Sequence, residues 1–138
     1  MNVIEHPLVL PFLAQIGLTL AVLLWLAYTR VSVLVKKGGM EEVLKSGFPS
    51  RAEKASDNFK HQFELPVLFY GLCLFAMMSG ITAGYLIVLA WVFVVARFFH
   101  AGVQLGPNII FPWRFGSFVL SAICVVQMLI IITIKVLS

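Results

Sequence analysis

Arg51-Ala-Glu-Lys-Ala-Ser-Asp-Asn58, followed by Phe63-Glu-Leu-Pro66, sets a row of charged and amide side chains directly against an apolar run that begins at Leu65. Polar groups that close to hydrocarbon are costly unless they pair, meet water or hold a ligand, which makes them functional candidates by default. Lys54, Asn58 and His61 fall at i, i+4 and i+7, so a helix puts them on one face. Glu64 lies about one turn beyond His61 and Asp57 about one turn before it, which widens the stripe. A second apolar segment carries Arg97 and His100 at i and i+3, with Gln104 a further turn along. Arg114 opens the last apolar segment, and Arg30 lies near the end of the first. If the segments pack as a bundle, these cations and amides converge at one membrane level and can grip a small anion.

Plainer readings compete for several of these residues. Lys36 and Lys37 are expected to snorkel toward phosphates. Lys54 and Lys60 suit a solvated face, and Asp57 can pair locally with Lys60 or His61. Arg30 sits inside the apolar run that ends at Val35, so it is either a structural partner or a ligand partner. Arg97-Phe-Phe-His100 has nonpolar residues on both sides, so Arg97 is expected to pair with a carboxylate of the protein or of a ligand. Helical spacing permits a metal set of Asp57, His61 and Glu64, but such patterns arise readily by chance and no metal site is assigned. Cys73 and Cys124 both lie in apolar segments and read as small buried hydrophobes rather than a disulfide or metal pair.

The elements that position these groups follow from composition. Of 138 residues, 61% are hydrophobic and 12% charged, with mean hydropathy +1.01. A soluble domain of this length could not hide so much apolar surface. The chain reads as an all-α integral membrane protein, a single domain over 1–138 with four spanning helices at about 7–35, 51–79, 85–104 and 115–137. The first stretch follows Glu5-His6 and is too long for a signal peptide, so it is expected to be a retained span. The net charge of +4 does not point to nucleic acid, because the basic residues are grouped beside apolar segments. Lys36, Lys37, Lys45, Arg51, Lys54 and Lys60 all fall in the connection 36–62, and Arg97 and Arg114 flank the third connection. The positive-inside rule then places both connections in the cytoplasm and both termini on the other side. Ser50-Arg-Ala-Glu53 fits a capping box that would start one long helix over 51–79, about 43 Å at about 1.5 Å per residue. Pro66 is expected to bend that helix where it enters the membrane.

Here the residues carry a resemblance. Arg51-Ala-Glu-Lys-Ala-x-x-Asn58, then Pro66, resembles the second-helix signature of the membrane-associated proteins in eicosanoid and glutathione metabolism, the MAPEG superfamily. Ala96-Arg97-x-x-His100 is similar to the family's third-helix motif, and Pro112-Trp-Arg114 to the opening of its fourth helix. Length, number of spans and orientation match as well, so the resemblance covers essentially the whole chain. It implies a homotrimer of four-helix subunits, with glutathione bound between neighbours near the cytoplasmic side of, for a prokaryote-type member, the bacterial inner membrane.

By position, the resemblance puts Lys54 where the signature has arginine and matches Asn58 to its asparagine. Arg97 matches the third-helix arginine, and Arg114 approximates the arginine that faces the thiol. Arg51, Arg30, His100 and Gln104 complete the expected binding set. Basic side chains and amides would hold the two carboxylates of glutathione, and an acid such as Glu64 would meet its ammonium. Two departures stand out. His61 occupies the place of the signature glutamate, with Glu64 three residues later and about 60° round the helix. Gln104 stands where many catalytic members have tyrosine, and glutamine cannot ionise. The implied activity is a glutathione-dependent transferase or peroxidase acting on lipophilic electrophiles dissolved in the bilayer. The alternative is a non-enzymatic lipid- or ligand-binding protein of the same fold, as the lipoxygenase-activating member is thought to be. On this reading Arg97→Ala and Asn58→Ala weaken thiol-ligand binding and leave the trimer intact.

Overall fold

A computed structural model describes residues 2–138. Six helices account for most of them: α1 (Val9–Leu34), α2 (Gly39–Ser46), α3 (Ser50–His61), α4 (Leu65–Met78), α5 (Gly84–Leu105) and α6 (Phe115–Leu137). Four stretches are long and apolar enough to cross a membrane: α1, α3 with α4, α5, and Ile110–Leu137.

The second span differs from one continuous helix. It is broken at Gln62–Glu64, where Glu64 adopts φ −96° and ψ −104°, and Leu65 starts α4 with Pro66 in its first turn. Proline lacks an amide hydrogen and fits there without loss. The capping box does not form either. Pro49, extended at φ −64° and ψ 158°, is the cap residue, so Ser50 lies inside the helix and makes no capping bond. The connection after α1 is also not a plain loop, since it contains α2. Gly39 opens α2 against the end of α1, where any Cβ would run into the Val33 carbonyl.

Buried positions show how the bundle is built. Pro11, Gln15, Leu18, Val22, Leu26 and Thr29 form one stripe along α1 at helical spacing. Against it α3 turns Ala52, Ala55 and Asn58, and the small alanines let the two backbones approach closely. On its other side α3 meets α5, the most buried span, whose inward residues include Phe93, Arg97, His100 and Gln104. Phe69 of α4 stacks on Phe93 with ring centroids 4.3 Å apart and planes 10° off parallel, both rings fully buried. Cys73 and Cys124 are free and lie in this same apolar cluster. α6 packs along α5 and touches α4. At the end remote from α2, His6 bonds the Ile81 carbonyl at 3.1 Å and closes the bundle.

Candidate functional site

The polar residues singled out in the sequence do not form a single pocket within one chain. They separate into a mouth, an interhelical lock and a cavity.

At the mouth, beside α2, Arg51 lies over the Trp25 ring at 4.5 Å and near Tyr28 at 5.8 Å. Arg30 rests on the Phe48 ring at 5.1 Å and donates to Ser56 Oγ at 3.2 Å. Both guanidiniums therefore tie α3 and its preceding turn to α1. Lys54 is half-buried on the same helix. Asp57 and Lys60 form an exposed pair at 3.5 Å, which turns the Asp57 carboxylate toward Lys60.

The lock holds α1, α3 and α5 together. Gln15 Nε2 donates to Gln62 Oε1 at 3.1 Å, Gln62 Nε2 donates to Asn58 Oδ1 at 3.0 Å, and Asn58 Nδ2 donates to the Ala101 carbonyl at 3.1 Å. All three amide side chains are fully buried. Asn58 is thus engaged at both ends by protein groups. Gln15 and Gln62 were not singled out in the sequence. An amide midway along the first apolar run was the available signal for Gln15, since polar side chains in a span need a partner. Gln104 is also buried, and its Oε1 has no partner among the described residues.

The cavity is built by three elements, and its volume is about 260 Å³. The end of α3 and the break after it supply His61 and Glu64, α5 supplies His100, and the wide turn Ile110–Arg114 supplies Arg114; Ile110, Phe115 and Phe118 form an apolar wall. His61 Nδ1 donates to Glu64 Oε2 at 2.8 Å, so the offset between the two on a helix does not keep them apart. The other ring nitrogen, Nε2, faces Arg114 Nη2 at 3.3 Å. Arg114 is further fixed by Nη1 donating to Asn108 Oδ1 at 3.2 Å. Asn108 holds φ +49°, a conformation asparagine tolerates better than most residues.

His100 stands edge-on to His61, with ring centroids 5.9 Å apart. Its Nδ1 donates to the Arg114 carbonyl at 3.1 Å and lies 3.2 Å from Ser117 Oγ, while Nε2, buried, has no partner among the described residues. Arg97 is 1% exposed; Nη2 donates to the His61 carbonyl at 3.3 Å and Nε has no partner. Sequence reasoning expected a carboxylate, of the protein or of a ligand, on Arg97. Within the described residues the guanidinium instead grips the backbone where α3 ends. It thereby fixes His61, which links α5 to the cavity.

Beside this site, Trp91, Val95, Phe99, Trp113 and Leu120 line an apolar groove of about 620 Å³ between α5 and α6. Ser117 belongs to the groove wall and touches His100, so it stands between the groove and the cavity.

Four apolar spans with a cationic, histidine-bearing cavity at one end define an integral, multi-pass membrane protein in contact with the lipid bilayer. The chain matches the MAPEG family over residues 8–134, nearly its whole length, and belongs to that family. That membership places it among membrane proteins of glutathione and eicosanoid chemistry. No curated protein and no solved structure matches it.

Proposed function

We propose that the protein is a glutathione-dependent transferase or peroxidase acting on lipophilic electrophiles, with Arg114 stabilising the thiolate. The observation that carries this reading is the cavity itself, where the Arg114 guanidinium stands beside His61 and His100 against an apolar wall. A thiol of pKa about 8.5 is mostly protonated at pH 7, and half-ionising it takes about 2 kcal/mol of preferential thiolate stabilisation. One guanidinium shielded from water is enough for that. The unpartnered Nε2 of His100, a residue of the cavity wall, leaves polar capacity for a ligand. Arg30, Arg51 and Lys54 make the mouth attractive to the carboxylates of glutathione. The thiolate attacks an electrophile that arrives from the lipid, and the groove between α5 and α6 offers a route.

Two observations support a site shared between neighbouring copies, which the proposed homotrimer supplies. The cavity of one chain, about 260 Å³, is smaller than the roughly 300–1,000 Å³ of typical ligand sites. The bonds Gln15–Gln62 and Arg30–Ser56 also hold α3 alongside the apolar run of α1, with Glu53, Asp57 and Lys60 exposed on its outer face. Charges at that level are costly against hydrocarbon. A second copy, or the water it encloses, relieves the cost. The grouping of basic residues in 36–62 supports a cytoplasmic mouth, with both termini across a bacterial inner membrane.

The apolar groove favours a second reading, a lipid-binding protein of the same fold without turnover. Conjugation of a chlorinated nitrobenzene by purified protein with glutathione separates the two. The transferase reading expects a rate well above background that falls at least tenfold in Arg114→Ala. No rate above background, with no glutathione-dependent thermal shift, removes it.

A further inference from the structure

We infer that His61, backed by Glu64, is the general base that takes the proton from the bound thiol; this rests on the glutathione reading above. The assignment comes from the two contacts of one ring. Because Glu64 Oε2 accepts from Nδ1 at 2.8 Å, the neutral imidazole carries its hydrogen there and leaves a lone pair on Nε2. At the cavity wall that lone pair accepts from Arg114 Nη2 at 3.3 Å, so a thiol entering between the two takes over both contacts, the Arg114 N–H turning to sulfur and the S–H to Nε2. An atom held against the Arg114 guanidinium is therefore a neighbour of the basic nitrogen, so one guanidinium positions the sulfur beside both groups. When the proton arrives, the ring becomes an imidazolium with a carboxylate already bonded to its far side. A base oriented and charge-compensated by a carboxylate is a general catalytic arrangement.

The surrounding groups support this choice over His100. Arg97 and His100 from α5, Arg114 before α6, and Glu64 from the break after α3 are the titratable groups around His61, while Asp57 is turned to Lys60. Among these, Glu64 is the one carboxylate, and it bonds His61. Behind the Nδ1 of His100 stand a backbone carbonyl and Ser117, neither of which carries charge to offset an imidazolium. His61 is 28% exposed along its side chain, so its ring is open to the cavity.

The step balances with the substrates named. The S–H bond breaks and its proton goes to His61 Nε2. The sulfur electron pair forms the S–C bond to the ring carbon of the chlorinated nitrobenzene. Chloride leaves with the C–Cl pair, and the imidazolium returns its proton to water before the next turnover.

The experiment is the pH profile of kcat/KM for wild type, His61→Gln and Glu64→Gln, run beside binding of S-methylglutathione, which has no thiol proton. Glutamine keeps a hydrogen-bonding side chain but cannot take the proton. Expected for His61→Gln is about a 100-fold loss at pH 7, shrinking steadily toward alkaline pH as the thiol ionises unaided. S-methylglutathione affinity should stay within about threefold, because the base acts on the proton. Glu64→Gln should fall between the two, and imidazole added to His61→Gly should restore part of the rate. An equal loss at every pH, or a loss matched by weaker S-methylglutathione binding, overturns the base and leaves the glutathione reading standing. Absence of conjugation in wild type overturns both.

Discussion

Asn58 offers the sharpest test of how the bundle uses its polar groups. The family signature would spend this asparagine on the ligand, whereas the structure spends it on two helices. Asn58→Ala removes the bond to the Ala101 carbonyl and strands Gln62 Nε2, which has no other partner in the lock. Interhelical hydrogen bonds within membranes average about 0.6 kcal/mol. A buried donor left unsatisfied costs about 1–3 kcal/mol. The single variant should therefore lose about 2–3 kcal/mol of stability, most of it from the stranded amide. In a Gln62→Leu background that amide is gone, so adding Asn58→Ala should cost only about 0.6 kcal/mol. The difference, about 1.4–2.4 kcal/mol, is a coupling energy readable from a double-mutant cycle of unfolding in mixed detergent micelles. Equal costs in both backgrounds would refute the lock. So would a variant with unchanged stability and lost glutathione affinity, which would return Asn58 to the ligand.

Further outcomes follow from the same geometry. Arg97→Met removes a buried cation that has a backbone carbonyl as its partner, so stability should be unchanged or slightly raised. Glutathione affinity, measured by equilibrium dialysis, should fall at least tenfold, about 1.4 kcal/mol. Gly39→Ala drives a Cβ into the Val33 carbonyl. It should cost about 1–3 kcal/mol and open the 36–49 region to limited proteolysis. An unchanged digestion pattern would show that α2 tolerates the added methyl.

Much of the scaffold was legible because hydrophobic length is a local property. Apolar runs of about 20 residues must cross a bilayer in any context, so four spans follow from the chain alone. Isolated polar residues inside those runs were legible for the same reason, and Arg97 and His100 are indeed nearly sealed from solvent. The break in the second span was only half visible. Pro66, which denies the Gln62 carbonyl its helical bond, signalled a disturbance at that level, but a full break at Gln62–Glu64 in place of a bend was not visible. The capping box failed because Pro49 took the extended conformation one residue earlier than Ser50.

The amino-acid order by itself determined the solvent of this protein, its span count and the types of side chain that had to find partners. It could not say which partner each would find. Arg51 on Trp25, Arg114 on His61 and Asn58 on Ala101 were decided only when helices came side by side. The physical reason is reach. Burial cost is written residue by residue along the chain, whereas hydrogen bonds about 3 Å long depend on the rotation and depth of separate helices, which packing fixes jointly.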